Sequence, residues 1–207
     1  MLMLRTTAFI LSSLFLLTVL SLAQENRSDL SVNLTGAFSS QSAGNNVTQD
    51  PSNSLGFLAT YRFKVNRLNS VEVNYGITRN TQYYAARSVV TGEPNFFAIQ
   101  SNINEVTADY VLTPWKSGRL SPFVLAGGGV LIFNPTGNSF GATPSDTEIK
   151  GAFSYGGGAD YRILRNLALR LQYRGLVYKA PDFYVPGLAT GSVGHMAEPS
   201  IGLVFHF

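Results

Sequence analysis

The run Ala197-Glu-Pro-Ser-Ile-Gly-Leu-Val-Phe-His-Phe207 alternates strictly. Ala197, Pro199, Ile201, Leu203, Phe205 and Phe207 fall on one face. Glu198, Ser200, Gly202, Val204 and His206 fall on the other. A period of two requires a strand whose faces meet different environments. The same reading along the chain predicts eight strands, at Asp29–Ser40, Ser54–Val65, Ser70–Asn80, Ala98–Thr113, Leu120–Phe133, Ile149–Ile163, Ala168–Tyr178 and Gly194–Phe207. In the fifth of these, the stretch Pro122 to Val130 has no clear alternation, and its facing stays open. The seven connections alternate in length. Long polar segments run from Gln41 to Asn53, Thr81 to Phe97, Asn134 to Glu148 and Lys179 to Val193. Short turns lie around Arg67-Leu68-Asn69, at Pro114-Trp115-Lys116-Ser117-Gly118 and at Leu164-Arg165-Asn166. The pattern predicts an all-β fold, an eight-stranded antiparallel up-and-down barrel.

Alternation alone does not say which face is outside, because a soluble barrel buries its apolar face and a membrane barrel turns it to lipid. Long loops at one end and short turns at the other match the membrane case, with the loops extracellular and both termini periplasmic. With the apolar faces outward, the inward face carries Arg62, Lys64, Arg162, Arg170 and Arg174 against Glu72, Glu105, Asp109, Asp160 and Glu198. Register chosen on hydrophobicity alone sets Lys64 opposite Glu72 and Asp160 opposite Arg170. An eight-stranded bore is just wide enough for side chains to fill it. An unpaired charge inside would cost several kcal/mol, so these groups are expected to pair. The leading reading is a plug of salt bridges. The alternative is a gate in which a pair such as Glu198–Arg174 exchanges partners.

Composition agrees with a membrane barrel. Charged residues are 13% of the 207, aromatics 12%, and Gly accounts for 20 positions. Soluble domains carry nearer ~25% charge. Residues 1–23 read as a secretory signal peptide: Arg5, an apolar run from Ala8 to Leu22, and the small-residue site Ser21-Leu22-Ala23. Cleavage before Gln24 leaves a single domain, residues 24–207. The formal net charge of +3 is small and its bases are scattered, which argues against nucleic acid as a partner. With no Cys, disulfides, thiolate chemistry and lipid attachment through Cys are excluded.

The terminal strand resembles the closing strand of bacterial outer-membrane barrels. Their assembly signal, polar-x-Gly-x-x-aromatic-x-aromatic, is matched by Ser200, Gly202, Phe205 and Phe207. Together with Arg119-Leu-Ser-Pro-Phe-Val-Leu-Ala-Gly and Ala152-Phe-Ser-Tyr-Gly-Gly-Gly-Ala-Asp-Tyr161, it makes residues 24–207 similar to the small eight-stranded family of the OmpA transmembrane domain and OmpX-like proteins. The resemblance implies localisation in a bacterial outer membrane. Its implied partners are outer-membrane lipid and lipopolysaccharide, the assembly machinery, and an extracellular ligand at the loops. The chain ends at Phe207, so the periplasmic peptidoglycan-binding domain of OmpA proper is not expected. The function implied is structural or surface-interacting, not catalytic. The alternatives are a narrow channel for small solutes or ions and, third, a lipid A-modifying enzyme.

For the enzyme reading the only candidate set is Ser192, His195 and either Asp182 or Glu198, in a stretch with no family motif around it. His206 falls on the lumen face and is expected to be hydrogen-bonded there. Two His and no Cys do not assemble a transition-metal site, and no cofactor is expected. Gly127-Gly-Gly129 and Gly156-Gly-Gly158 lack a following Lys-Ser/Thr, so they read as close strand approaches rather than phosphate cradles. Tyr61, Tyr75, Tyr110, Tyr161, Tyr173 and Trp115 are placed where interfacial girdles belong. The segment Ala180–Leu188 is unusually apolar for an exposed loop. It is expected to pack on the barrel rim, touch lipopolysaccharide or meet a partner.

Overall fold

The computed structural model describes residues 27–87, 93–140, 146–185 and 187–207. The proposed signal peptide lies outside them. Ten strands follow in order: β1 (Ser28–Ser39), β2 (Ser42–Gly44), β3 (Val47–Pro51), β4 (Ser54–Lys64), β5 (Asn69–Arg87), β6 (Pro94–Leu112), β7 (Leu120–Phe140), β8 (Glu148–Arg162), β9 (Leu167–Lys179) and β10 (Val193–His206). Eight of them pair antiparallel in the order β5-β4-β1-β10-β9-β8-β7-β6, and the β5–β6 pairing closes the ring. The last residue takes part in the closure. Phe207 and Ser28 exchange backbone hydrogen bonds of 2.9 and 3.0 Å. Closure leaves the eight-stranded ring without a free edge.

The alternation has the polarity that a membrane requires. Outward stand Leu30, Val32 and Leu34 on β1, Leu55 and Phe57 on β4, Val71, Val73 and Ile77 on β5, and Ile201, Leu203 and Phe205 on β10, all exposed. Inward and buried stand Ser31, Asn33, Thr60, Arg62, Glu72, Asn74, Glu105, Asp109, Arg170, Arg174 and Glu198. Tyr61, Tyr75, Tyr110, Tyr161 and Tyr173 are on the outer face, as the girdle reading expected, and Trp115 is exposed at a turn. The facing that pattern left open is settled at β7. Phe123, Leu125, Leu131 and Phe133 point in and Val124 points out. Gly127 and Gly129 occupy the inward positions between them. A Cβ on Gly129 would meet the Val106 carbonyl oxygen at 2.0 Å, which explains the glycine run as close strand approach.

Two expectations need correction. The β4–β5 hairpin turns on Arg67 rather than Leu68, so Arg62 stands opposite Glu72 and Lys64 opposite Ser70. A shift of two residues keeps every side chain on its face, so hydrophobicity alone could not distinguish the two registers. What selects the observed one is Asn66, whose side-chain oxygen accepts from the Leu68 and Asn69 N–H groups at 2.9 Å each. Second, the segments read as long loops are partly strand. β5 and β6 continue pairing as far as Arg87↔Pro94. β4 leaves the edge of β5 beyond Gly56↔Thr78, and the β2–β3 hairpin takes it up from Pro51↔Gln82 onward. An edge so long would otherwise be bare, and the predicted loop Gln41–Asn53 covers it.

Candidate functional site

The lumen is layered along the barrel axis, from the end with short turns and chain termini (the turn end) to the end with long hairpins (the loop end). Near the turn end lies the first ion cluster. Arg62 Nε and Nη2 reach Glu72 Oε2 at 2.9 and 2.8 Å. Arg170 donates to Asp160 Oδ1 at 2.7 Å and Oδ2 at 2.9 Å, so the second predicted pair is formed, and with the bidentate geometry of a strong one. Arg62 joins the two pairs through Asp160 Oδ2 at 3.5 Å. The ring of Phe123 lies 4.2 Å from the Arg62 guanidinium carbon and 5.0 Å from that of Arg170. Two bases and two acids thus balance around one aromatic plate.

The second cluster is centred on Arg174, fully buried. It pairs with Glu105 and donates to Thr107 Oγ1 at 3.0 Å. Glu198, directly opposite in register, lies 3.6 Å away, within ion-pair reach but too far for a hydrogen bond. Gly156, its neighbour on β8, lets the two strands approach closely, since a Cβ there would meet the Tyr173 carbonyl oxygen at 2.1 Å. Asp109 belongs to neither cluster. It accepts from Asn74 Nδ2 at 2.8 Å and from the Ser154 hydroxyl, and no cation pairs with it among the described residues. Lys64 pairs instead with Asp29, Nζ to Oδ1 at 2.5 Å, and His206 Nδ1 meets the same oxygen at 2.7 Å. His206 is therefore hydrogen-bonded at the lumen face, as expected.

Arg162 must be taken out of the buried network. It has lumen parity, but it stands at the last position of β8, exposed on the rim. There it lines a cavity of about 360 Å³ at the turn end with Arg62, Lys64, Arg67, Lys116, Arg119 and Arg165. Partial burial and the adjacent charge of Lys64, with Arg162 and Arg67, hold the Lys116 ammonium below its ordinary value.

Above the ion clusters an apolar cluster fills the lumen beside the buried polar side chains of Gln49, Asn80, Gln82 and Ser101. Ile103, Leu131, Phe133, Leu176, Tyr178 and Met196 point inward at the loop-end halves of their strands and are buried together. Into them folds the segment read as an exposed apolar loop: Ala180, Phe183 and Leu188 are buried, Phe183 with 2% of its surface exposed. Phe183 meets Phe133 edge-on at 6.3 Å. The fold-back is held by Glu148, buried and paired with Lys150, whose Oε2 accepts the N–H groups of Asp182 at 2.9 Å and Phe183 at 2.7 Å. Those bonds offset the strain of Phe183 and Tyr184 in the left-handed region, φ 52° and 56°. Tyr84 donates its hydroxyl to the Pro181 carbonyl at 2.9 Å and ties the segment to β5. The sequence reading missed this stopper. Part of its signal is present, since five apolar residues of lumen parity, Ile103, Leu131, Phe133, Leu176 and Met196, cluster toward the loop end, apart from the smaller group of Val111, Phe123 and Leu125.

The candidate hydrolytic set does not assemble. Ser192 Oγ donates to the Ala43 carbonyl at 2.6 Å, whereas His195 Nε2 bonds the exposed Tyr155 hydroxyl at 2.9 Å. Asp182 Oδ1 is engaged by the Tyr184 N–H, and Glu198 is in the lumen.

A closed antiparallel ring with an apolar exterior and an ion-paired interior defines an integral membrane β-barrel. Residues 9–207 match the family model described as outer membrane protein beta-barrel domain, and the chain belongs to that family. No curated protein sequence matches it. The fold is shared with Neisserial surface protein A (TM-score 0.55, 11% identity, covering 87% of this chain and 97% of that one). It is shared too with the attachment invasion locus protein Ail of Yersinia pestis, crystallised with the heparin analogue sucrose octasulfate (TM-score 0.51, 19% identity, 87% and 99%). A third is OprG of Pseudomonas aeruginosa (TM-score 0.50, 10% identity, 87% and 95%).

Proposed function

We propose that this outer-membrane barrel is closed and non-catalytic, and that it works through its loop end, which faces the cell exterior. The observation that carries the reading is the stacking of two buried ion clusters beneath an apolar stopper, which together occupy the bore above the turn-end cavity. Above the stopper stands a surface suited to contact. A transmembrane strand needs ~9–11 residues, whereas β5 and β6 have 19 each. On β5 the outward apolar run ends at Ile77 and gives way to Arg79, which bonds Asn102 at 2.6 Å. Arg79 to Arg87 would run roughly 25 Å along the strand, about 20 Å beyond the apolar band at the usual strand tilt. This projecting sheet carries exposed Tyr83 and Phe96, Tyr184 is exposed on the folded-back segment, and lipopolysaccharide or an extracellular ligand would meet these first.

Residues 1–23 are proposed as the cleaved export signal, and Ser200, Gly202, Phe205 and Phe207 as the signal read by the assembly machinery. The chain has no Cys, so single-cysteine variants report orientation cleanly. Tyr184→Cys should react with a membrane-impermeant maleimide on intact cells, and Lys116→Cys only after the cells are opened. The reverse pattern would overturn the orientation. Removal of the protein should leave the mass of lipid A unchanged; a changed mass would favour the enzyme reading.

The second reading, a narrow channel, is favoured by the loose fit of Glu198, 3.6 Å from a guanidinium that is held more tightly by Glu105. If that pair gates ion flow, Glu198→Ala should raise conductance. If it is part of a plug, the variant should instead lower stability, because it leaves a cavity beside Arg174, whose charge Glu105 still balances.

A further inference from the structure

We propose that the turn end holds a binding site for a small phosphate-bearing polyanion, distinct from the surface assigned to the loop end. The cavity of about 360 Å³ is lined by seven Lys or Arg side chains and two carboxylates, Asp29 and Asp160. Both carboxylates are already committed, Asp29 to Lys64 and His206, Asp160 to Arg170 and Arg62. Five cations remain, Arg67, Lys116, Arg119, Arg162 and Arg165, and none has an acidic partner within 4.0 Å among the described residues. They come from three separate turns, so the closure of the barrel, not local sequence, brings them around one space. Like charges gathered at a shared concavity raise the local potential and concentrate anions there. The Lys116 ammonium is lowered first by partial burial and then by Lys64, Arg162 and Arg67 around the same space.

Four of the five are Arg, whose planar fork matches the oxygens of a phosphate in pairs. Hydroxyls of Ser70, Thr113 and Ser121 line the same cavity and supply neutral donors. A cavity of this size takes a diphosphate or a phospholipid headgroup rather than a polymer. The shared chemistry is the phosphate group, borne either by a soluble compound or by an anionic lipid at the rim.

Trp115, the only Trp, is exposed beside Lys116 and serves as reporter. The refolded protein in phosphatidylcholine nanodiscs, open to solvent on both faces, is titrated with inorganic pyrophosphate at constant ionic strength. Saturable binding is expected, and Arg119→Gln/Arg162→Gln should weaken it about tenfold or more, as loss of charged hydrogen bonds implies. The loop-end control Arg79→Gln/Lys179→Gln, equal in charge removed, should bind as the parent does. Repeating the titration with phosphatidylglycerol in the disc separates the sources. Suppression of pyrophosphate binding assigns the site to headgroups, and no suppression assigns it to soluble phosphates. Absence of saturable binding in phosphatidylcholine discs, or equal binding by the Arg119/Arg162 variant, would overturn the proposal. Neither result bears on whether the lumen conducts.

Discussion

Replacing Arg170 with Leu tests the lower ion cluster. Arg170 is fully buried and supplies both short bonds to Asp160, at 2.7 and 2.9 Å, with Glu72 Oε2 3.9 Å away. Without it, two carboxylates share one guanidinium. Arg62 stays on Glu72 at 2.8 Å, and Asp160 keeps only a 3.5 Å contact. Breaking a buried pair on one side costs about 3–5 kcal/mol, because the orphaned charge stays out of water. Guanidinium unfolding of the barrel in lipid vesicles, followed by Trp115 fluorescence, reads this directly. With a denaturant slope of about 4 kcal/mol/M, the midpoint should fall by roughly 1 M. The double variant Arg170→Leu/Asp160→Leu removes both charges and leaves the Arg62–Glu72 pair balanced. It should recover most of the loss, ending within about 2 kcal/mol of the parent, since an apolar pair can replace a buried ion pair at little cost. A single variant less than about 1 kcal/mol destabilised, or a double variant worse than the single, would refute charge balance as the organising term.

Three further predictions concern the other layers. Phe183→Ala removes the ring at the centre of the stopper and should cost about 3 kcal/mol or more, with amide exchange accelerated through Asp182 and Tyr184; unchanged protection there would contradict the fold-back. Gly129→Val would drive a side chain into the Val106 carbonyl and should abolish refolding, whereas Gly151→Ala, which meets nothing within 4 Å, should refold as the parent does. Deleting Phe207 removes the backbone bonds to Ser28 and the final aromatic of the proposed assembly signal, so the outer-membrane yield in cells should drop; full yield without it would contradict that assignment.

The barrel was legible in the sequence because a membrane and a filled lumen impose opposite demands on alternate residues. The pairing of Asp160 with Arg170 could be read as well, since the tight turn at Arg165 fixes that hairpin's register. Lys64 and Glu72 show where such reading stops. Two registers two residues apart satisfy the same hydrophobic pattern, and the choice falls to the Asn66 side chain, a local hydrogen-bonding preference that periodicity does not contain. Partners from distant strands were out of reach for the same reason. Arg174 lies opposite Glu198 in the sheet yet pairs more closely with Glu105 across the bore, and Asp29 joins Lys64 with His206 only because the ring closes. The segment Ala180–Leu188 is anomalous in the sequence for its apolarity, but that alone points no further than the rim, lipopolysaccharide or a partner, because loops are ordinarily on the surface. Its apolar side chains are satisfied by the apolar cluster of Ile103, Leu131, Phe133, Leu176 and Met196 in the loop-end half of the lumen.

The closed bore is tested most directly by single-channel recording from the refolded protein in a planar bilayer. Two ion clusters under the Phe183 stopper predict silence from the parent protein at moderate voltage. Reproducible small openings in the parent would contradict a sealed lumen, and would make Glu198, Arg174 and Glu105 the first residues to change.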